Sequence, residues 1–162
     1  MSNARQEQDG RADFDFFVGS WNVHNRRLRE RLKGSQEWEE FAGTSVARTI
    51  LGGLGNTDEA TFERAAGRFE GMTVRLFNPA SRQWSLYWAD TVSGSLQTPM
   101  IGGFVQGLGE FYAQEPFEGK QIFSRFIWSK ITPSSCQWEQ AFSADGGKTW
   151  ETNWITDQTR VD

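Results

Sequence analysis

The sequence predicts an all-β protein, a single antiparallel up-and-down β-barrel of about nine or ten strands. Turn-forming residues recur every 8–14 residues, and the segments between them alternate in polarity or are rich in strand-forming residues. No helical pattern is long enough to form the crossover between two parallel strands. A meander of this length either closes on itself or leaves exposed sheet edges, so closure into a barrel is expected.

The predicted strands are short and follow one another closely. Nine segments fit this description: 21–32, 38–51, 72–77, 84–90, 100–104, 108–113, 121–129, 136–142 and 150–159. Glycine, proline and small polar residues between these segments predict turns, among them Lys33-Gly34-Ser35, the glycine-rich run 52–55 and Glu115-Pro116.

Two short helical segments are predicted beside the strands. Phe14, Phe17 and Val18 have the spacing of a single helical turn with an apolar face. Thr57 is suited to cap a second short helix, near residues 57–66. A hydroxyl at that position accepts hydrogen bonds from unpaired N–H groups, and the acidic residues that follow suit a helix N-terminus.

Aromatic residues dominate the apolar content of the chain. The 162 residues include eight Trp, thirteen Phe and two Tyr, against 21 Leu, Ile and Val together. Large aromatic side chains bury much apolar area each, so the chain can form a core with few aliphatic residues. The length fits one barrel domain, residues 13–162, preceded by a polar segment, residues 1–12, that is predicted to be a disordered tail.

Several classes of protein and of site are excluded by composition. No apolar run approaches the ~20 residues of a membrane span, and the N-terminal segment lacks the apolar stretch of an export signal. A cytoplasmic protein with no membrane partner is therefore predicted. A single cysteine, Cys136, and a single histidine, His24, leave too few ligands for a zinc site, so no metal is expected. We expect Cys136 to be a small buried apolar residue.

Basic residues cluster near the start of the chain. The cluster comprises Arg26, Arg27, Arg29, Arg31 and Lys33. Clustered Arg and Lys are typical of nucleic-acid binding. The net charge of −4 and an acidic run at residues 37–40 instead favour two facing strands with cross-strand charge pairs. No nucleic-acid partner is therefore expected.

The clearest predicted hairpin turns at Asn78-Pro79. Proline presets φ for the second turn position, and the asparagine side chain accepts a hydrogen bond from the backbone two residues on. The register that follows pairs Phe77 with Trp84, Arg75 with Leu86 and Thr73 with Trp88. Arg75 is thereby placed among aromatic side chains, where an arginine snorkels, stacks or holds an anionic ligand.

The last predicted hairpin turns between Ser143 and Trp150, in the pattern of the Asp box of sialidases. We expect Asp145 to accept hydrogen bonds from N–H groups of the turn, and Trp150 to pack beneath it. A single copy in so short a chain indicates turn chemistry and not sialidase activity. Pairing Phe142 with Trp150 puts four aromatic residues on one face, namely Trp138, Phe142, Trp150 and Trp154. Glu139 and Asn153 then lie on the other face.

Several runs of the sequence together resemble a known family. The run Asp-Phe-Asp-Phe-Phe-Val-Gly-Ser-Trp ends at Trp21 and resembles the opening of lipocalins, in which a helical turn precedes a Gly-x-Trp motif, here Gly19-Ser20-Trp21. Leu-Gly-Gly-Leu-Gly-Asn, Arg-Leu-Phe-Asn-Pro, Tyr-Trp-Ala-Asp and the segment around the Asp box extend the likeness over residues 13–160. The chain thus resembles an uncharacterised bacterial lipocalin-like domain family of the calycin superfamily.

The resemblance implies a calycin barrel whose structural residues include Gly19, Trp21 and a late arginine, Arg160, that lies over the tryptophan. Asp145 and Trp150 are further expected structural residues. Haem-binding barrels of the nitrobindin type carry a histidine on a late strand, whereas His24 lies on the first strand. Haem is therefore not expected, no other cofactor is implied, and we expect His24 on the surface.

The leading functional prediction is a barrel that binds a small hydrophobic or aromatic ligand in its interior, with an anionic ligand as one option. A barrel of this size holds one small ligand between aromatic walls and a few orienting polar groups. The candidate binding residues are Arg48, at the predicted barrel mouth, and Arg75, Trp88, Arg125, Glu139 and Asn153.

Two alternatives stay open at this stage. Calycin-type barrels include phenolic-acid decarboxylases, so a cofactor-free enzyme could act on a small aromatic acid through Arg125, Glu139 and Tyr87. The other alternative is an interaction module without a ligand, in which exposed aromatic residues form a homodimer face. The periodicity of the strands does not say which side of each strand faces inward.

Overall fold

Ten antiparallel strands form one closed barrel in the computed structural model, which describes residues 9–161. Each strand pairs with the next along the chain, and β10 closes the barrel against β1. The strands are β1 Gly19–Leu28, β2 Trp38–Ile50, β3 Gly55–Arg64, β4 Gly67–Asn78, β5 Gln83–Asp90, β6 Met100–Val105, β7 Leu108–Phe117, β8 Lys120–Ser129, β9 Ser135–Ser143 and β10 Glu151–Arg160. The predicted up-and-down barrel is confirmed, and every predicted strand overlaps an observed one.

The predicted helix near residues 57–66 is wrong, because this segment is strand β3. Its side chains alternate, so that Asp58, Ala60 and Phe62 are buried inside the barrel. The Thr57 hydroxyl donates to the Thr73 carbonyl of the neighbouring strand and does not cap a helix. The alternation of buried and exposed residues in β3 is hard to see in the sequence, because one of the buried positions is occupied by the polar residue Asp58.

The predicted turn at Glu115-Pro116 is also wrong, because β7 continues to Phe117. The chain reverses at Glu118 and Gly119, both of which have positive φ, as a two-residue hairpin turn requires. Strand β6 pairs with β7 only over residues 108–112. Residues 113–117 of β7 therefore form a sheet edge on the side of β6, and a proline is tolerated at an edge.

The hairpin at Asn78 forms with the predicted register. Its pairs are Phe77 with Trp84, Arg75 with Leu86 and Thr73 with Trp88. The Asn78 side chain accepts hydrogen bonds from the amides of Ala80 and Ser81 at 2.9 and 3.2 Å. A short turn fixed by local side-chain hydrogen bonds thus sets the alignment of β4 and β5.

The last hairpin differs from its predicted register. Strand β10 starts at Glu151 opposite Phe142, and an irregularity between Thr152 and Trp154 shifts the ladder by one residue. Trp154 therefore lies opposite Gln140 instead of Trp138. The turn itself has the expected chemistry, because Asp145 Oδ1 accepts from the Thr149 amide at 2.9 Å and from the Ser143 hydroxyl at 2.8 Å.

The start of the chain closes one end of the barrel. The predicted helical turn is present as a 3-10 turn, Asp15–Phe17, and it brings Phe14 and Phe17 under the strands, where both are buried. Residues 1–8 of the predicted disordered tail lie outside the described residues. Of the rest of that tail, Gly10 accepts a hydrogen bond from Trp84 Nε1 at 3.1 Å.

The 3-10 turn is joined to the seam between β1 and β10. Trp21 Nε1 donates to the Phe17 carbonyl at 2.9 Å. Arg160 lies over Trp21, with its guanidinium carbon 4.4 Å from the ring centroid, as the resemblance implies. The same guanidinium donates to the carbonyls of Val18 and Phe16, so it holds the turn against the last strand.

In the described part of the chain, no helix has the length and apolarity needed to cross a bilayer.

Arg160→Ala removes the stacking on Trp21 and the charge-assisted hydrogen bonds to Val18 and Phe16. We expect the free energy of unfolding to fall by about 2 kcal/mol. Urea titration followed by tryptophan fluorescence measures this change. Arg48→Ala is the matched control, because Arg48 is exposed and should change stability by less than about 0.5 kcal/mol. Equal unfolding midpoints for the two variants would contradict the role assigned to Arg160.

Candidate functional site

The barrel encloses a cavity of about 350 Å³. It runs from a floor, formed by Phe17 and Trp128 with Phe14 packed behind them, to the opposite end of the barrel, where β1 ends and the loop that carries Arg31 begins. We call that end the mouth, and we define it by its lining residues Arg27, Arg31, Asp90, Glu115 and Phe117. A volume of this order suits one small organic ligand.

Aromatic side chains form the middle of the cavity wall. Trp154 makes edge contacts with Trp138 at 5.3 Å and with Phe62 at 5.6 Å between ring centroids. Trp88 lies 6.5 Å from Trp154 and is nearly perpendicular to it. A hydrogen bond of 3.0 Å from Trp154 Nε1 to the buried Asn25 side chain fixes the ring. The wall is therefore apolar and held in place before any ligand arrives.

Two arginines at the mouth stack on aromatic rings. The guanidinium carbon of Arg27 lies 4.6 Å from the ring centroid of Trp154. That of Arg31 lies 5.1 Å from Phe117 and 5.5 Å from Phe142. Within residues 9–161, neither guanidinium has a hydrogen bond or an ion pair, although both side chains are half-buried.

The pKa values at the mouth reflect burial and positive charge. Burial, followed by the charges of Arg31 and Arg64, lowers the pKa of Arg27 to about 10. Burial also lowers the pKa of Arg31, and the nearby charges of Glu115 and Glu118 oppose this shift. Both groups remain cations at neutral pH, but the protein leaves them only partly solvated and without a bound carboxylate. An anionic group at the mouth would supply the missing ion pair and stabilise the charged form of both arginines.

Of the carboxylates near the mouth, those of Glu39 and Asp90 are bound by other groups, whereas the charges of Glu115 and Arg31 favour each other. Glu39 is bound by Arg64, whose Nη2 lies 2.7 Å from Glu39 Oε2, and these hydrogen bonds lower the Glu39 pKa. Burial opposes ionisation of Asp90, but hydrogen bonds from Ser93, Trp88 and Val92 outweigh it and lower the Asp90 pKa.

The predicted pairing of basic and acidic strands is present as Arg26 opposite Glu40 and Arg27 opposite Glu39. Arg27 nevertheless turns inward to Trp154 and leaves Glu39 to Arg64.

The inner part of the cavity contains a buried ion pair. Arg75 Nη1 donates to Asp58 Oδ1 at 3.1 Å and to Asn56 Oδ1 at 2.9 Å. The Ser45 hydroxyl donates to the other Asp58 oxygen at 2.8 Å. The Arg75 guanidinium carbon lies 5.0 Å from the ring centroid of Phe17, on the cavity floor. The charge of Arg75 is thus balanced within the barrel.

The predicted binding residues separate into two groups. Arg75 and Trp88 line the cavity. Asn153 is fully buried and reaches the cavity wall only through Gln140, whose amide donates to it at 2.9 Å. Arg48 does not lie at the mouth, because it is exposed near the end of β2 that adjoins the closed end.

Arg125, Glu139 and Tyr87 lie on strand positions that face away from the cavity. On each of these strands the residues with the opposite parity line the cavity: Leu86 and Trp88 on β5, Phe126 and Trp128 on β8, and Trp138 and Gln140 on β9. Arg125 stacks on Trp150 at 4.5 Å on the outer surface. The three side chains proposed for the enzyme alternative therefore do not meet in the cavity.

Several polar residues that line the cavity are not among the predicted binding residues, including Arg27, Arg31, Asp58 and Gln158. Arg27 and Arg31 were assigned to a charged strand surface, yet Arg27 shares the inward parity of Trp21 and Val23. Arg31 lies beyond the end of β1, in a loop, so no strand period locates it. Asp58 was assigned to a helix.

The single histidine lies on the outer face of the barrel, whereas the single cysteine is buried. His24 is on the outer face and is 3.5 Å from Glu40. Cys136 is buried, and burial raises the pKa of its thiol to about 12, so it is not a nucleophile near neutral pH. Residues 9–161 contain no group of three or more His, Cys, Asp or Glu side chains placed to hold a metal ion.

An apolar area lies on the outer surface of β6 to β8. Ile101, Tyr112 and Phe123 are exposed there, and Trp150 packs against Tyr112 with ring centroids 6.1 Å apart. This is the type of surface expected for the homodimer alternative. Dimerisation stays a prediction from the sequence.

Glu115→Gln tests the electrostatics of the mouth. Burial raises the pKa of Glu115, so the folded protein disfavours its ionised form. The ionised carboxylate therefore lowers stability at pH values above its unfolded pKa, and this cost disappears as the pH falls below that value. We expect Glu115→Gln to raise the free energy of unfolding at neutral pH but not in acid. The exposed Glu59→Gln is the control, and a gain that is the same at both pH values would contradict this account.

The comparisons with known proteins bear on the fold. No protein-family model and no curated protein matches the chain. Among solved structures, the chain is similar to the S-type phycobiliprotein lyase CPES from Guillardia theta, with a TM-score of 0.57 and 12% sequence identity over 92% of this chain and 90% of that chain. At this identity the likeness shows the fold alone, which is a closed antiparallel β-barrel.

Proposed function

We propose that the barrel binds a small aromatic anion, with its ring between the aromatic walls and its anionic group at the mouth. The observation that carries this proposal is the pair Arg27 and Arg31, two cations that line the cavity and that no carboxylate in residues 9–161 binds through a hydrogen bond or an ion pair. The solved structure of a phycobiliprotein lyase supports the fold on which the proposal rests. The class of ligand is argued from the cavity.

The apolar part of the ligand is indicated by the wall. Rings enclosed by Trp88, Trp138 and Trp154 gain both burial and edge-to-face contacts, since the three indoles are nearly perpendicular to one another where they meet. A flat ring of a ligand would pack edge-to-face against these indole rings in the same way. A flexible aliphatic chain would also gain burial but would lose rotamer freedom on entering so rigid a wall.

The anionic part of the ligand is indicated by the mouth. Stacking on an aromatic face stabilises a guanidinium but leaves its N–H groups free to donate, because the ring contacts the flat face of the cation. Arg27 and Arg31 are therefore oriented by Trp154 and Phe117 while their donors remain available. A carboxylate matches the fork of such a guanidinium.

An enzyme is not proposed, because the side chains selected for that role face outward. A cytoplasmic location, the absence of a cofactor and the lack of nucleic-acid or membrane partners stay predictions from the sequence.

Replacing both mouth arginines tests the proposal. We expect Arg27→Met with Arg31→Met to weaken the binding of naphthoate by about tenfold or more, because each charge-assisted hydrogen bond contributes about 1.5–3 kcal/mol. Tryptophan fluorescence during titration measures the dissociation constant. Methylnaphthalene, which has no charge, should bind the variant and the native protein equally. No saturable change with either compound in the native protein would refute the proposal.

Two controls separate a binding role from a structural one. Arg48→Met removes an exposed arginine outside the cavity and should leave naphthoate affinity unchanged. Because burial disfavours the charged form of Arg27, Arg27→Met should not reduce the free energy of unfolding, although it weakens anion binding. A variant that lost stability and affinity together would indicate that Arg27 serves the fold.

A further inference from the structure

The inner end of the cavity holds polar atoms that the protein does not satisfy. Across residues 9–161, five buried side-chain nitrogen or oxygen atoms lack a hydrogen-bond partner. Three of them belong to residues that line this one cavity: Arg75 Nε, Trp128 Nε1 and Gln158 Oε1. Each of the three residues is less than 7% exposed (4%, 3% and 6%). Buried groups without a partner are uncommon in proteins and call for an explanation.

The orientation of the Gln158 amide follows from its neighbours. The Thr156 hydroxyl is directed at the Trp138 carbonyl, 3.5 Å away, so its oxygen acts as acceptor toward Gln158. Gln158 Nε2 donates to that oxygen at 3.0 Å, which leaves Oε1 as the unpaired end. Three residues at the inner end of the cavity thus hold two unpaired N–H donors, on Arg75 and Trp128, and one unpaired carbonyl acceptor, on Gln158, each covered by neighbouring protein atoms.

The charge at the inner end is already balanced. Arg75 is paired with Asp58 at 3.1 Å, and Asp58 is held by the Ser45 hydroxyl at 2.8 Å. A second anion placed beside this pair would meet the Asp58 carboxylate in a medium of low dielectric constant, where repulsion is strong. The unpaired donors and acceptor therefore call for a neutral group, in contrast to the two arginines at the mouth, which form no ion pair.

We propose that the inner end of the cavity is a second recognition site, which binds a neutral group that both accepts and donates hydrogen bonds, such as a carboxamide. The ligand carbonyl would accept from Arg75 and Trp128, and the ligand N–H would donate to Gln158. This inference rests on the proposed function, and it specifies the ligand further as a molecule with an anionic outer end and a neutral polar inner end. Each protein atom involved is covered by neighbouring side chains, so the ligand engages it by displacing them.

The dimensions of the barrel agree with such a ligand. Gln158 lies opposite Val23 on β1, and Arg27 follows four residues later on the same strand. At about 3.3 Å per residue, the two levels are about 13 Å apart along the strand. Side chains reach inward from both levels, so a molecule of two linked aromatic rings with a polar group at each end spans the cavity.

Three biphenyl carboxylates that differ only at the far para position test this inference. One carries a carboxamide there, one a methyl group and one a second carboxylate. We expect the carboxamide to bind the full-length protein about tenfold more tightly than the methyl compound, because only the carboxamide satisfies the buried atoms. The second carboxylate should bind at least as weakly as the methyl compound, since it would face Asp58.

The variant Gln158→Leu provides an independent readout. It should reduce the advantage of the carboxamide over the methyl compound to about threefold or less, while the affinity for the methyl compound stays the same. Gln121→Leu, at an exposed position of β8, is the matched control and should retain the full advantage. If Gln158→Leu does not fold, the comparison of the three compounds on the native protein still tests whether the inner end of the cavity binds a carboxamide.

The outcomes distinguish this inference from the proposed function. Equal affinity for the carboxamide and the methyl compound, together with binding of both, would overturn the inner site and leave the mouth arginines as the binding site. Tighter binding of the dicarboxylate than of the carboxamide would also overturn it. Absence of binding by all three compounds would refute the proposed function and the inner site together.

Discussion

Closure of β10 against β1 is the constraint on which the rest of this structure depends. Once a sheet closes, each strand must present alternate residues to one enclosed interior. The seam is where Arg160 of the last strand covers Trp21 of the first and binds the backbone of the 3-10 turn. The same contacts hold Phe14 and Phe17 beneath the barrel. Closure of the sheet and closure of one end are therefore achieved by a single cluster of side chains.

Filling one end decides where the cavity lies. The aromatic residues of the floor occupy the interior between the 3-10 turn and Arg75, and Phe14 packs edge-on against both Trp84 and Trp128. At the other end the strands lead into loops, among them the segment between β5 and β6, whose residues Gln97 and Thr98 line the cavity. The aromatic residues that dominate the composition thus serve two purposes. Some form a solid core, and others, such as Trp88 and Trp154, form the wall of a cavity.

The sequence predicts the barrel well because period, turn spacing and chain length all indicate the same architecture. It also predicts the Asn78 hairpin, since a short turn with local side-chain bonds fixes which residues pair. It fails in the last hairpin, where the turn is one residue longer than predicted, so that Phe142 pairs with Glu151, and where one extra residue near Asn153 shifts the register again. A bulge leaves no mark in the polarity pattern. It fails at β3 because Asp58 is polar but faces inward.

The candidate site is harder to predict than the fold. Period two separates the two faces of a strand but does not say which face is inside, so Arg75 and Arg125 are equivalent in the sequence. Only closure places the first in the cavity and the second on the outer surface beside Trp150. Arg31 lies in a loop and has no period at all. Its position depends on stacking with Phe117 and Phe142, which are distant in the chain.

The distribution of unfavourable groups separates the part of the barrel that maintains the fold from the part that binds. At the closed end, the Trp21 indole and the Arg160 guanidinium both find backbone carbonyls. Along the cavity, by contrast, Arg27 is a cation that burial disfavours, and Gln158 keeps an acceptor unpaired. A fold selected for stability alone would replace such groups by apolar residues of similar size. The concentration of such unsatisfied polar and charged groups around one cavity is typical of a binding site, because a ligand with matching groups satisfies them and gains affinity from doing so.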